Sequence, residues 1–346
     1  MSPFFTNHPI IAFGIPLLIL SAILPIVLRP ILHQAGRYDI PNDRSSHLVP
    51  TLRGGGVSNV LIAIIAWLNL SFFLPTGLPF QAHVIIGFSI ALGILGIIED
   101  FHPMAAITRL LAQFALSLVF TALILILNSR EYAGGLLIVA LVILFGCVWT
   151  INAANFMDGI HGVSSITAIL AAIYTLAITG SRLDTAIAPI ALIVLTSFAG
   201  FLPWNFPRPQ LFLGDSGSYF LGAAYSAIAT YIFISTWSVT LAIAPMLITL
   251  TDSTWTLAHR FIRHQKIMTP HKEHVFQRLQ RRFASHTAAT FLVFLFASIS
   301  ALIGIVRLYG PLPEAISLSM LILLAFLYCI QPIIFKAERI DWKSAS

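Results

Sequence analysis

Long apolar runs, separated by short clusters rich in Pro, Gly, Asn and Ser, recur from residue 10 to beyond residue 330. A helix needs about 20 predominantly apolar residues to cross the hydrocarbon core of a bilayer. The pattern predicts about eleven such segments: 10–32, 55–74, 82–98, 105–127, 135–153, 163–179, 185–202, 218–235, 239–257, 287–306 and 315–334. The breaks carry helix-stopping chemistry, as in Pro75-Thr-Gly-Leu-Pro79 and Gly310-Pro-Leu-Pro313. The first segment has no basic n-region, and Pro16 and Pro25 interrupt it, so it is read as a span and not as a cleavable signal. The expected fold is all-α: one polytopic integral membrane domain, residues 1–346, of about 10–11 transmembrane helices. No internal repeat is evident, which removes the support that an inverted-repeat transporter would need.

Composition narrows this further. Of the 346 residues 58% are apolar and 9% charged, against about 25% charged in a soluble domain. Soluble enzymes, disordered scaffolds and secreted disulfide modules are thereby excluded. Cys147 and Cys329 lie inside apolar runs and read as packing residues. The net charge of +6 does not by itself imply nucleic acid, because in a membrane protein the placement of charge decides. Alternating the spans puts sixteen of the 19 Lys and Arg on one face: fourteen in the loops 33–53, 99–104, 154–162, 203–217 and 258–286 and the C-terminal tail, and Arg29 and Arg109 at span ends beside them. Only Arg130, Arg182 and Arg307 fall on the other face. The positive-inside rule then makes the basic face cytoplasmic and puts the N-terminus outside.

The acids are the informative minority. Glu99, Asp100, Asp158, Asp215 and Asp252 all lie at span ends on the basic face, whereas the opposite rim offers Glu131, Asp184 and Glu314. Ionisable residues beside spans are costly and usually mark a site; an ordinary polar rim would distribute them evenly. Glu99 and Asp100 close the third span, and adjacent helical residues point about 100° apart. One can therefore face the interior while the other anchors a loop. Asn152, Asn155 and Asp158 recur at i, i+3, i+6, so a helical turn would place three hard oxygen donors on one face, suited to Mg²⁺ or Mn²⁺. An Asx-rich turn is the bland alternative. Gly214-Asp215-Ser-Gly-Ser218 opens the eighth span, where free N–H groups can bind phosphate and a divalent cation could bridge it to Asp215. An Asp/Ser N-cap is compatible with that reading. The loop after Asp252 holds His259, Arg260, Arg263, His264, Lys266, His271, Lys272, His274 and Arg278, a set suited to phosphate oxygens. Zinc at His271 and His274 is opposed by basic neighbours and the lack of a nearby cysteine. Contact with anionic lipid would explain the charge but not the histidines.

These residues resemble the polyprenyl-phosphate N-acetylhexosamine-1-phosphate transferases, glycosyltransferase family 4, which include the peptidoglycan translocase and the O-antigen initiating transferases. The likeness runs in order along most of the chain. Asp39-Ile-Pro-Asn-Asp-Arg44-Ser-Ser-His47 through Arg53-Gly54-Gly55-Gly56 looks like the family's first cytoplasmic loop, and Glu99-Asp100 stands where the family usually has Asp-Asp. Asn152 through Gly162 is similar to its Asn-Ala-x-Asn-x-x-Asp-Gly-x-Asp-Gly signature, with His161 at the second Asp, and Gly214 through Ser218 is similar to Gly-Asp-x-Gly-Ser. Pro270-His271-Lys-Glu-His274-Val-Phe-Gln277-Arg278 looks like the histidine loop of the O-antigen initiators and lacks the triple histidine of the peptidoglycan enzyme.

The resemblance implies transfer of N-acetylhexosamine-1-phosphate, or a deoxy relative, from a UDP-sugar to undecaprenyl or another polyprenyl phosphate. UMP would leave, at the cytoplasmic face of a bacterial inner membrane. It implies Mg²⁺ (or Mn²⁺) held by Asp215 and Asn155, with Asp100 aligning or deprotonating the acceptor beside Glu99 and Asp158. Asn152, Asp158 and His161 would contact the nucleotide, and Arg263, His271, His274 and Arg278 the diphosphate or sugar. Arg44, His47 and Arg53 would organise the first loop. The implied partners are the UDP-sugar, the polyprenyl phosphate and the bilayer, with a homodimer as an option and no nucleic acid. The alternatives are a phospho-MurNAc-pentapeptide transferase and, in a different class, a secondary transporter of anionic sugar or lipid precursors. A CDP-alcohol phosphotransferase would need Asp-Gly-x-x-Ala-Arg, which Asp158-Gly-Ile-His does not continue.

Overall fold

Inside a bilayer every backbone N–H and C=O must find its partner within the segment, and runs of this length and apolarity do so as helices. The computed structural model describes residues 9–41, 49–74, 76–128, 135–180, 182, 185–265 and 271–337. Through these run α1 (Pro9–Gln34), α2 (Gly56–Phe73), α3 (Phe80–Phe101), α4 (Ala106–Leu127), α5 (Leu136–Met157), α6 (Val163–Ile178) and α7 (Ala188–Asn205). They are followed by α8 (Gly214–Thr236), α9 (Val239–Ile243), α10 (Leu247–Ile262), α11 (Val275–Phe283), α12 (His286–Tyr309), α13 (Glu314–Cys329) and the short α14 (Gln331–Ile334). The protein is a polytopic helical membrane protein. Each of the eleven expected spans meets a helix; nine helical stretches among the described residues are long and apolar enough to cross, while α6 and α13 are shorter.

Two spans differ from the expectation in detail. The ninth is broken into α9, a 3₁₀ turn at Ala244–Met246 and α10, because Pro245 has no N–H to continue the α-helical ladder. The last ends at Cys329 and resumes after Ile330 as α14, which carries Pro332 in its first turn.

Helix α8 is the centre of the bundle: 83% of its spanning window is buried, against 28% for α1 at the periphery. Its most extensive partner is α3, followed by α5. The α3–α8 approach is close enough that a methyl group at Gly96 would overlap the Asp215 carbonyl. This packing carries the end of α3, with Glu99 and Asp100, against the beginning of α8.

The apolar pattern gives no sign of a small sheet on the basic face, which the structure contains. Strand β1 (Tyr38–Asp39) pairs antiparallel with β2 (Thr51–Arg53), and β2 pairs parallel with β3 (Leu211–Phe212). Strands of two or three residues leave no periodic trace in a sequence. Their consequence is large, because the pairs Leu52–Leu211 and Arg53–Phe212 bring the first loop against the start of α8. Helix α11 likewise forms inside the stretch that the sequence presents as a basic loop. It buries Val275, Phe276 and Leu279 and leaves Arg281 and Arg282 exposed. On the opposite rim, Glu314 accepts hydrogen bonds from Ser238 Oγ, Thr240 N and Arg307 Nε, a joint between helices. Glu131 and Asp184 lie outside the described residues.

Candidate functional site

Asp215, the second residue of α8, has one carboxylate oxygen facing α5 and the other facing β2. Its Oδ1 accepts from Asn155 Nδ2 at 2.6 Å and its Oδ2 from Arg53 Nη2 at 2.6 Å. Asn155 Nδ2 also reaches Ser218 Oγ at 2.9 Å. Arg53 bridges onward, its Nε donating to Asp100 Oδ1 at 3.2 Å. Asp100 and Asp215 thus share one guanidinium and converge on it from different helices.

The sequence leads one to expect free N–H groups for a phosphate at the N-terminus of α8. The structure corrects this: Asp100 takes them, with Asp215 N donating to its Oδ1 at 3.0 Å and Ser216 N to its Oδ2 at 2.9 Å. The helix end still binds an anion, but the anion is a side chain from α3. Gly214 makes room for it, since its φ is +77° and an added Cβ would lie 2.7 Å from Asp100 Oδ2.

Glu99 turns the other way, as adjacent helical residues must. It accepts from Met104 N at 3.0 Å and from Arg109 Nη1 at 3.2 Å, tying the α3–α4 connection to α4. A polar cavity of about 420 Å³ opens beside these groups, lined by Arg37, Tyr38, Pro103 and Arg109 together with Asp100 and Asp215.

The expected common face of Asn152, Asn155 and Asp158 does not form. Helix α5 ends at Met157, so Asp158 leaves the helical register with ψ of 41°. Asn152 points to α4, where its Nδ2 donates to Gln113 Oε1 at 2.7 Å. Only Asn155 of the three hydrogen-bonds to Asp215. Asp158 instead accepts from Ser164 Oγ at 2.8 Å, and burial pushes its carboxyl up to about 7. His161 follows in the same turn, its ring stacked on His286 with centroids 3.8 Å apart and tilted toward Phe212 at 5.9 Å. Its carbonyl accepts from Thr290 Oγ1 at 2.8 Å, which binds the turn to α12.

The histidine loop is organised by Asp252, which is fully buried in α10. Its Oδ1 pairs with His274 Nδ1 at 2.8 Å and accepts from Val275 N at 3.2 Å; its Oδ2 accepts from Phe276 N at 3.1 Å and Tyr328 Oη at 2.7 Å. His274 is therefore an anchor at the start of α11, only 4% exposed. His271 stacks on it at 5.0 Å, and burial, with His274 and Arg260 nearby, pushes the His271 imidazole down to about 3. Arg260 Nη1 pairs with Glu273 Oε1 at 2.8 Å. Arg278 is half-buried on α11, its pKa lowered by burial and by Arg263, while Arg263 is exposed at the end of α10. The loop abuts the Asp158 turn, because a Cβ at Gly159 would come 2.9 Å from Gln277 Nε2.

Arg44 and His47 lie outside the described residues. Arg53, expected only to organise its loop, stands at the centre of the acid cluster. Sequence reasoning missed Arg37, Gln113, His286 and Tyr328 as participants. Of these Gln113 had a signal, since Arg109, Gln113, Ser117 and Thr121 repeat every four residues along one face of α4. Among the described residues no group of three or more His, Cys, Asp or Glu is placed to hold a metal by itself.

Residues 82–233 match the family model described as Glycosyl transferase family 4, a window that contains Asp100, Asn155, Asp158, His161 and Asp215. The chain is 27% identical, over 86% of its length and 84% of the relative's, to a probable undecaprenyl-phosphate N-acetylglucosaminyl 1-phosphate transferase of Bacillus subtilis. It is 28% identical to a decaprenyl-phosphate N-acetylglucosaminephosphotransferase of Mycolicibacterium smegmatis, over 77% of this chain and 74% of that one. It is 32% identical to an undecaprenyl-phosphate alpha-N-acetylglucosaminyl 1-phosphate transferase of Thermotoga maritima, over 62% and 63% of the two chains.

Proposed function

The chain belongs to glycosyl transferase family 4, and on that premise we propose that it transfers N-acetylhexosamine-1-phosphate from a UDP-sugar to a polyprenyl phosphate. N-acetylglucosamine is the favoured sugar, since the relatives above carry it in their names. One oxygen of the lipid phosphate attacks the phosphorus that bears the sugar. The bond from that phosphorus to the bridging oxygen breaks, and UMP leaves with the electron pair. The observation that carries this reading is the Asp100–Arg53–Asp215 bridge, closed by Asn155, at the head of the central helix.

The chemistry suits the parts. A phosphomonoester has a second pKa of about 6 and is already largely a dianion at neutral pH, so no strong base is required. Both Asp100 oxygens serve Asp215 N, Ser216 N and Arg53, which favours a positioning role over proton removal. The residues also fit Mg²⁺ or Mn²⁺. Asp100 and Asp215 already share a cationic guanidinium, and Mg²⁺ is commonly held by one or two carboxylates completed by substrate phosphates. Bound by Asp215 and Asp100 beside Asn155, such an ion would neutralise charge on the diphosphate. Arg53 orients both carboxylates. Asp158, His161 and Phe212 would form the nucleotide side, with His271 and Arg278 over the diphosphate or sugar.

The basic face is then cytoplasmic, where UDP-sugars are found, and the membrane is the bacterial inner membrane. An O-antigen type of envelope polysaccharide is the favoured product line. The pentapeptide-transferase alternative lacks its triple histidine, because Val275, Phe276 and Gln277 follow His274 and pack inward. The test is UMP release by the purified protein in detergent, given undecaprenyl phosphate, Mg²⁺ and a panel of UDP-sugars. Release that requires both lipid phosphate and a UDP-N-acetylhexosamine is expected; none with any of the panel would refute the reading.

A further inference from the structure

Three arginines line the polar cavity beside Asp100, and two are committed: Arg53 to Asp100 and Asp215, and Arg109 to Glu99. Arg37 is the third. It lies between α1 and β1, with its guanidinium over the Phe101 ring at 4.9 Å from the centroid. Among the described residues it makes no ion pair, and its Nε is buried without a hydrogen-bond partner. A buried donor left without an acceptor is costly. A guanidinium placed over an aromatic ring, with donors unspent in a polar cavity, matches the oxygen pair of a phosphate.

The position says which phosphate. Asp100 and Asp215 line this cavity whereas Asn155, Asp158 and His161 do not, so Arg37 reaches the acid pair from a space that the nucleotide turn does not enter. In-line displacement places the attacking and leaving oxygens on opposite sides of the phosphorus. Ile19, Ile23, Ile26, Val27 and Ile31 are exposed along one face of α1, and Arg37 follows three residues after that helix ends. A lipid chain lying against that face would bring its headgroup to the end of α1.

We propose that Arg37, pinned on Phe101, seats the monophosphate headgroup of the polyprenyl acceptor. The assignment rests on the transferase reading for its choice of ligand, but its test does not depend on turnover. Thermal stability of the purified protein in nanodiscs is measured with undecaprenyl phosphate and with undecaprenol, for wild type, Arg37→Gln and Arg37→Lys. Steady-state KM values for acceptor and for UDP-sugar are measured alongside. Expected are selective stabilisation of wild type by the phosphorylated lipid, its loss in Arg37→Gln, and an acceptor KM raised about tenfold or more with the UDP-sugar KM unchanged, as loss of a charge-assisted hydrogen bond requires. Arg37→Lys should recover part of both, and it decides the question alone if Arg37→Gln does not fold: an acceptor KM equal to wild type overturns the proposal. Equal stabilisation of wild type and Arg37→Gln, or a KM effect confined to the UDP-sugar, also overturns it. Absent turnover in wild type with Arg37-dependent phosphate selectivity intact would refute the transferase reading and leave the seat standing.

Discussion

Replacing Asp252 by Asn changes one oxygen to an amide and tests whether the histidine loop is held from below. The carboxylate receives five contacts: His274, Val275 and Thr256 on Oδ1, Phe276 and Tyr328 on Oδ2. An amide NH₂ cannot accept. If it turns toward Oδ2's partners, Phe276 N and Tyr328 Oη both lose their acceptor in a fully buried place. At about 1–3 kcal/mol for each orphaned buried donor the loss is about 2–6 kcal/mol. If it turns toward Oδ1's partners, His274 can change tautomer and Thr256 can rotate its hydroxyl to accept from it, so that Val275 N is the donor left orphaned and the loss is about 1–3 kcal/mol. The lower figure is the expected one, because the side chain will choose it. Thermal unfolding in detergent reads the total, and hydrogen exchange over 275–283 reads whether the loss is local to α11. The KM for UDP-sugar should rise as His271 and Arg278 lose their support, with kcat falling less. Tyr328→Phe removes one bond and should cost about 1 kcal/mol. Unchanged exchange in α11 and unchanged kinetics in Asp252→Asn would refute the anchoring role.

Asp100→Asn should lower kcat sharply at every pH, since it weakens the α8 cap and the Arg53 bridge, whereas Glu99→Gln should mainly lower thermal stability; recovery of Asp100→Asn above pH 9 would point to a base. Arg53→Lys cannot span both carboxylates in the same way and should reduce UMP release about tenfold or more, so a wild-type rate would remove Arg53 from the site. His271 is held neutral, its pKa pushed from 6.5 down to about 3, so the unfolded chain binds the extra proton. Stability it contributes is therefore lost as pH falls from 6.5 toward 3, and His271→Asn should flatten the acid limb of an unfolding titration over that window. A limb unchanged in His271→Asn would contradict that.

The helices were legible because membrane burial writes itself as runs of apolar residues, and the meeting of Asp100 and Asp215 on the basic face because charge cannot be scattered cheaply through a bilayer. The opposed directions of Glu99 and Asp100 follow from helix geometry alone. Other features depend on partners far away in the chain. Arg53 looks peripheral in the sequence because nothing local says that its strand pairs with Leu211–Phe212. The register of Asn152, Asn155 and Asp158 misleads because it assumes one unbroken helix, and α5 stops at Met157. The α8 N-terminus looks free because its occupant comes from 115 residues earlier in the chain. The anchoring of His274 is hidden because Asp252, its partner, lies 22 residues away on another helix.

The central claim is that Asp215, held between Asn155 and Arg53, governs phosphoryl transfer at the head of α8. The most direct measurement is single-turnover UMP formation from UDP-N-acetylglucosamine and undecaprenyl phosphate, titrated with Mg²⁺, for wild type and Asp215→Asn. A neutral amide is a poor ligand for a hard cation. Wild type should show a saturable Mg²⁺ requirement, and Asp215→Asn should lose most of the turnover and need far more Mg²⁺ for what remains. Full turnover of Asp215→Asn at low Mg²⁺ would contradict the account.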